Sequence, residues 1–191
     1  ELMFLLQILF DGEILLPTPS WVSYAPQAIL GRNKFNWIQT KRENNWFPTG
    51  KEIEEKLIKN KNYLLILNSP NNPSGNTLDP EVIKRITSSF NGIVVIDEAY
   101  IDFSSSQSWI DFLDFHENLI IMQTFSKAWG LAGLRLGMGF ASPAIINILN
   151  NIKPPYNINT LTQEKASEAL DNFEEKNQQV DVILSERALL I

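Results

Sequence analysis

The sequence contains no cysteine, which excludes disulfides and thiolate metal sites. Histidine is nearly as scarce. His116 is the single copy, which argues against a histidine-based metal cluster and against a Ser-His-Asp triad. No metal site is expected. Positive charge is in deficit, with 16 Lys+Arg against 22 Asp+Glu and a net charge of -6. An acidic surface repels phosphate backbones, so nucleic acid is not an expected partner. Long apolar runs are missing too. The opening ELMFLLQILF has ten residues, too few to span a bilayer, and it lacks the basic flank of a signal peptide. A buried helix is expected there, with no membrane partner and a cytoplasmic location. There is no internal repeat and no low-complexity tract. A phosphate-cradling G-x-x-x-x-G-K-[ST] loop is also absent: Gly50-Lys51 is the only Gly-Lys pair, and Glu52 follows it. Asp97-Glu98 after an apolar run therefore does not read as the metal-binding strand of a nucleotide hydrolase.

What is present has the balance of a soluble globular protein, 44% hydrophobic and 20% charged. The length of 191 residues suffices for one domain with a sizeable core. Three segments share one design. Residues 63–68 (YLLILN) lead into SPNNPSG, residues 92–97 (GIVVID) into EAY, and residues 118–123 (NLIIMQ) into TFSKAWG. Short runs rich in branched residues fit strands buried on both faces. A helical pattern over 79–90 separates the first two, so the chain reads as an α/β domain with a mostly parallel sheet flanked by helices. Further strands are expected over 13–17, 34–39 and 136–141. Helices are expected over 49–60 (with Thr49 as N-cap), 143–151, 161–170 and, amphipathic, 172–191. Residues just past the ends of parallel strands share one edge of the sheet, where ligands bind. Asn72, Asp97 and Lys127 each fall at or just after such an end.

Those residues suit one kind of chemistry. A pyridine-ring cofactor that stores carbanion charge needs a lysine amine for a Schiff base and a carboxylate on its ring nitrogen. It also needs donors on its ring oxygen and a cradle for its phosphate. Lys127 can supply the first and Asp97 the second. Asn72 and Tyr100 can supply the third, and Thr124, Ser126 and Arg135 the fourth. Taken singly, Lys127 reads as a solvated lysine, Trp21 as a core tryptophan and Arg135 as a strand-edge ion-pair partner. Glu98 reads as structural and His116 as exposed.

The TFSKAWGLAGLRLG run resembles the lysine signature of the class I/II pyridoxal-phosphate-dependent aminotransferases, with Arg135 eight residues after Lys127. SPNNPSG resembles that family's asparagine-proline-glycine turn, IDEAYIDF its aspartate-tyrosine segment, and PSWVSY the segment whose aromatic residue stacks on the ring. IDEAYIDFS, TFSKAWGLAGLRLG and KPPYNIN are closest to the histidinol-phosphate aminotransferases. PTPSWVSYAPQA, by contrast, looks more like general amino-acid aminotransferases. The resemblance implies a fold-type I pyridoxal-phosphate enzyme with cofactor pyridoxal 5'-phosphate. It implies catalytic roles for Lys127, Asp97 and Tyr100, and cofactor contacts from Trp21, Asn72, Asp97, Tyr100, Thr124, Ser126, Lys127 and Arg135.

The implied reaction moves an amino group between a small-molecule amine donor and a 2-oxo acid. The implied pair is L-histidinol phosphate and 2-oxoglutarate, in histidine biosynthesis, within a homodimer. Residues 1–170 are expected to be the cofactor-binding large domain, incomplete at both ends, and 171–191 the start of a long helix leading to a C-terminal small domain. The resemblance places part of the phosphate cradle before Glu1 and a substrate-binding arginine in that small domain. The alternatives are another amino-acid aminotransferase or a decarboxylase of the same fold, and a catalytically incompetent fragment.

Overall fold

The structure is a computed structural model that describes residues 1–59 and 61–190. Six strands form one sheet: β1 (Glu13–Thr18), β2 (Lys34–Gln39), β3 (Tyr63–Asn68), β4 (Ile93–Asp97), β5 (Leu119–Thr124) and β6 (Gly137–Ala141). Their spatial order is β2-β1-β3-β4-β5-β6. β1 to β5 are parallel, and β6 pairs with β5 in the opposite direction.

Alternation along the central strands builds two cores. Leu65, Leu67, Val94, Ile96, Leu119 and Ile121 join one apolar cluster. Their neighbours Leu64, Ile66, Val95, Ile120 and Met122 join the other. Successive side chains of a strand point to opposite faces, so a run apolar at every position is buried on both. Leu64, Leu65, Val94, Val95 and Ile121 are fully buried, each contributing about 1.5–3 kcal/mol over an exposed state. Helices α1 (Leu2–Leu9), α2 (Tyr24–Leu30) and α5 (Pro143–Ile152) cover one face through Met3, Leu6, Ala28 and Leu149. Helices α3 (Gly50–Glu54) and α4 (Pro80–Ser89) and the 3-10 segment Trp109–Phe115 cover the other through Ile53, Ile83, Ile86 and Trp109. The result is the expected α/β layering.

Three local expectations fail, each for a physical reason. Helix α3 is far shorter than the reading over 49–60, and Asn60 lies outside the described residues. Its start is as expected: Thr49 Oγ1 accepts from the Glu52 N–H at 3.2 Å, and Glu52 Oε2 accepts from the Thr49 N–H at 2.8 Å. Its end is set by Tyr63, whose hydroxyl accepts from the Ile58 N–H at 2.8 Å and donates to Lys56 O at 3.2 Å. Those backbone groups would otherwise continue the helix. Helix α6 (Thr160–Asp171) matches its reading closely, but α7 (Phe173–Leu189) is not amphipathic in its packing. Val180 is its one buried residue, while Val182, Ile183 and Leu189 are exposed. Ion pairing and a main-chain contact tie it down instead, through Lys176 to Asp102 and Arg187 to Phe103 O. Ile191 lies outside the described residues. His116 is half-buried rather than exposed, with Nε2 3.4 Å from Thr87 Oγ1.

Candidate functional site

The C-terminal ends of the parallel strands assemble the site. Asn68, Asp97 and Met122 stand side by side in register on β3, β4 and β5. Beyond them the turns carry Asn72, Tyr100, Ser126 and Lys127, and Thr124 closes β5. A cavity of about 520 Å³ opens over this edge. Trp21, Asn72, Asp97, Tyr100, Thr124, Ser126, Lys127 and Arg135 all line it. Every candidate residue read from the sequence is thus brought to one place. A second cavity of about 490 Å³, around Glu13, Asn36 and Lys56, lies at the opposite strand ends and carries none of them.

Asp97 is held from two sides. Its Oδ2 accepts from the Tyr24 hydroxyl at 2.7 Å, and its Oδ1 accepts from the Ala99 N–H at 3.0 Å. Burial pushes its carboxyl above the usual carboxylate range. The Tyr24 hydrogen bond, the Ala99 N–H and the Lys127 ammonium oppose that shift without cancelling it. Tyr24 is 1% exposed. Burial, and then the Asp97 charge, push its phenol well above its ordinary value. It therefore stays protonated and donates.

The turn after β3 is built by Asn68. Its Oδ1 accepts from the Asn72 N–H at 2.7 Å, and its Nδ2 donates to Asp97 O at 2.8 Å. Asn72 Nδ2 in turn donates to the Tyr100 hydroxyl oxygen at 3.4 Å. Lys127 is exposed, with Nζ 5.0 Å from the Tyr100 ring centroid. Its loop is closed by Gly130 N–H to Lys127 O at 2.9 Å, with Gly130 at φ +66, a conformation that glycine adopts without a Cβ penalty. Thr124 Oγ1 accepts from the Ser126 N–H at 3.0 Å and donates to Leu136 O at 3.3 Å. Arg135 also has a left-handed backbone, φ +53, and its Nη1 donates to Ala132 O at 2.8 Å. Trp21 meets Tyr24 edge-on, with ring centroids 5.4 Å apart, and is 38% exposed.

Glu98 is structural, as read. It is buried and accepts from the Ser108 hydroxyl at 2.6 Å, the Trp109 N–H at 2.7 Å and Gln123 Nε2 at 2.9 Å. Burial raises its carboxyl above the usual range. Among the described residues, no group of three potential metal ligands is found, and no helix is long and apolar enough to cross a membrane. Two contributors escaped the sequence reading. Tyr24 lay within the PSWVSY string without a role, and its spacing gives no hint that α2 aims it at β4. Asn68 did carry a signal, being the polar end of a buried apolar run.

Comparison with known proteins points the same way. The family model for aminotransferase class I and II matches residues 1–190. A histidinol-phosphate aminotransferase from Flavobacterium psychrophilum is 43% identical over 184 residues, covering 95% of this chain and 51% of that protein. Another, from Cytophaga hutchinsonii, is 52% identical over 130 residues, covering 68% of this chain and 37% of that protein. Among solved structures, an aromatic aminotransferase from Pyrococcus horikoshii OT3 is similar with a TM-score of 0.83 and 32% identity, over 97% of this chain and 52% of that one. The chain thus spans about half, or less, of the length of the relatives it matches.

Proposed function

This chain belongs to the class I and II aminotransferases, and from that premise we propose that it forms the pyridoxal-phosphate-binding part of an enzyme that transfers the amino group of histidinol phosphate to 2-oxoglutarate. The observation that carries the reading is the convergence of eight residues from four separate motifs on one cavity. The donor set fits the cofactor: an exposed amine, a half-buried carboxylate, an amide and a phenol 3.4 Å apart, and two hydroxyls and a guanidinium on the same cavity wall.

When bound, pyridoxal phosphate supplies a carbonyl that takes up the amino group and a ring that holds the electron pair released at the substrate Cα. Lys127 would attach the cofactor and, once released, move the proton at that carbon. Asp97, steadied by Tyr24 and Ala99, would hold the proton on the ring nitrogen. Asn72 and Tyr100 would hydrogen-bond the ring oxygen, and Trp21 would cover the ring face. Thr124, Ser126 and Arg135 would take the phosphate, since charge-assisted hydrogen bonds from a guanidinium suit its geometry. Groups from a second subunit would complete the site in a homodimer.

Support for histidinol phosphate comes from the curated relatives that carry that name and from the IDEAYIDF and KPPYNIN segments. The PSWVSY segment and the likeness to an aromatic aminotransferase favour a second reading, a general or aromatic amino-acid aminotransferase. Discrimination is a ratio of kcat/KM values, so a donor panel decides between them. The first reading expects histidinol phosphate to be the best donor. An ordinary amino acid that outperforms it by about tenfold or more, roughly 1.4 kcal/mol of transition-state preference, would overturn it.

A further inference from the structure

Helix α7 buries only Val180, yet it touches both loops that carry the proposed catalytic groups. Its Lys176 ammonium donates to Asp102 Oδ1 at 2.7 Å and lies 5.1 Å from the centroid of the Trp129 ring. Asp102 follows Tyr100 by two residues, and Trp129 follows Lys127 by two. One cation therefore spans the two loops, which also approach each other where Lys127 Nζ lies 5.0 Å from the Tyr100 ring centroid.

The link is sheltered. The side chains of Lys176 and Asp102 are 17% and 26% exposed, whereas the Lys84–Glu81 and Lys165–Glu168 pairs lie open on single helices. Partial burial strengthens both the ion pair and the cation–ring contact relative to open water. Trp129 is a firm anchor, because its ring packs on Phe125 at 5.3 Å between centroids and Phe125 is buried. Arg187 adds a second tie from α7 to the Tyr100 turn, with Nη1 donating to Phe103 O at 3.3 Å.

We infer that Lys176 is a positioning residue, whose ammonium sets the separation of the Tyr100 turn and the Lys127 loop and so holds the Lys127 amine against the Tyr100 ring. The inference rests on the roles proposed above for Lys127 and Tyr100. Its test, however, reads the amine without cofactor or turnover. Lysines of the cofactor-free protein are labelled with limiting acetic anhydride, and the rate at Lys127 is measured by mass spectrometry relative to the exposed Lys51. Lys176→Met removes the charge and keeps the stem. Asp102→Asn leaves the lysine and removes the negative charge of its partner.

Both variants should label Lys127 roughly threefold to tenfold faster, the range expected when such contacts are lost, while Lys176→Arg stays within about twofold of the parent. In turnover, Lys176→Met should lower kcat and leave KM for the amine donor nearly unchanged. If Lys176→Met does not fold, Asp102→Asn decides. Parental labelling of Lys127 in Asp102→Asn overturns the inference, as does equally fast labelling in the arginine variant. Failure of the aminotransferase reading would show separately, as an unsubstituted protein with no transamination and an intact labelling pattern.

Discussion

The Tyr24 hydroxyl donates to Asp97 Oδ2 at 2.7 Å, joining the first residue of α2 to the last residue of β4 across 73 positions of sequence. The bond favours the charged carboxylate that burial disfavours. Tyr24→Phe deletes that oxygen and little else. Hydrogen bonds to charged groups contribute about 1.5–3 kcal/mol, so kcat/KM should fall about tenfold or more. Because the lost bond favoured ionisation, the Asp97 carboxyl moves further up, and the acid limb of the kcat/KM profile should shift to higher pH. An unmoved limb would remove Tyr24 from the account.

Asp97→Asn should retain cofactor binding and nearly abolish turnover, because a neutral amide cannot hold the ring proton as a carboxylate does. The same substitution has a readout in the cofactor-free protein. The folded chain holds the Asp97 proton more tightly than the unfolded chain does. That carboxyl therefore contributes stability below the ordinary carboxylate range, and the contribution is lost as pH rises through the raised value. Denaturation measured across that window should show a shallower fall with pH in the asparagine variant. A slope identical to the parent would contradict the raised value.

Glu98, the neighbour of Asp97, has a different task. Glu98→Ala strips the acceptor from Ser108, the Trp109 N–H and Gln123. The Trp109 N–H is buried, while Ser108 and Gln123 are part-buried and stay bonded to each other at 3.3 Å. An unsatisfied buried donor costs about 1–3 kcal/mol, so unfolding free energy should drop by about that much. Chemical denaturation gives the value, and a loss below about 1 kcal/mol would show that the network is dispensable.

The central strands were legible because a short run apolar at every position suits a strand buried on both faces, as in a parallel sheet, and YLLILN, GIVVID and NLIIMQ each end in a polar residue at the functional edge. Asn72, Asp97 and Lys127 were legible for the same reason, because they lie at or just past strand ends and strand ends share an edge, whereas Trp21 was read from the resemblance of PSWVSY to a family motif. Side chains acting at a distance were not legible. The Tyr63 hydroxyl that stops α3 and the Tyr24 hydroxyl that meets Asp97 act through tertiary contacts. Neither contact leaves a periodic mark in the sequence. The apolar residues of α7 suggested a face, but the helix is held by Lys176 and Arg187 instead. The reversed direction of β6 was equally silent, since LGMGFA reads the same in either pairing.

The central claim is that Lys127 carries the cofactor. Borohydride reduction of the protein loaded with pyridoxal phosphate, followed by peptide mapping, tests it most directly. The account predicts a stable pyridoxyl label on Lys127, with loss of the visible Schiff-base absorbance and no label in Lys127→Ala. A label on any other lysine, with Lys127 unmodified, would contradict it.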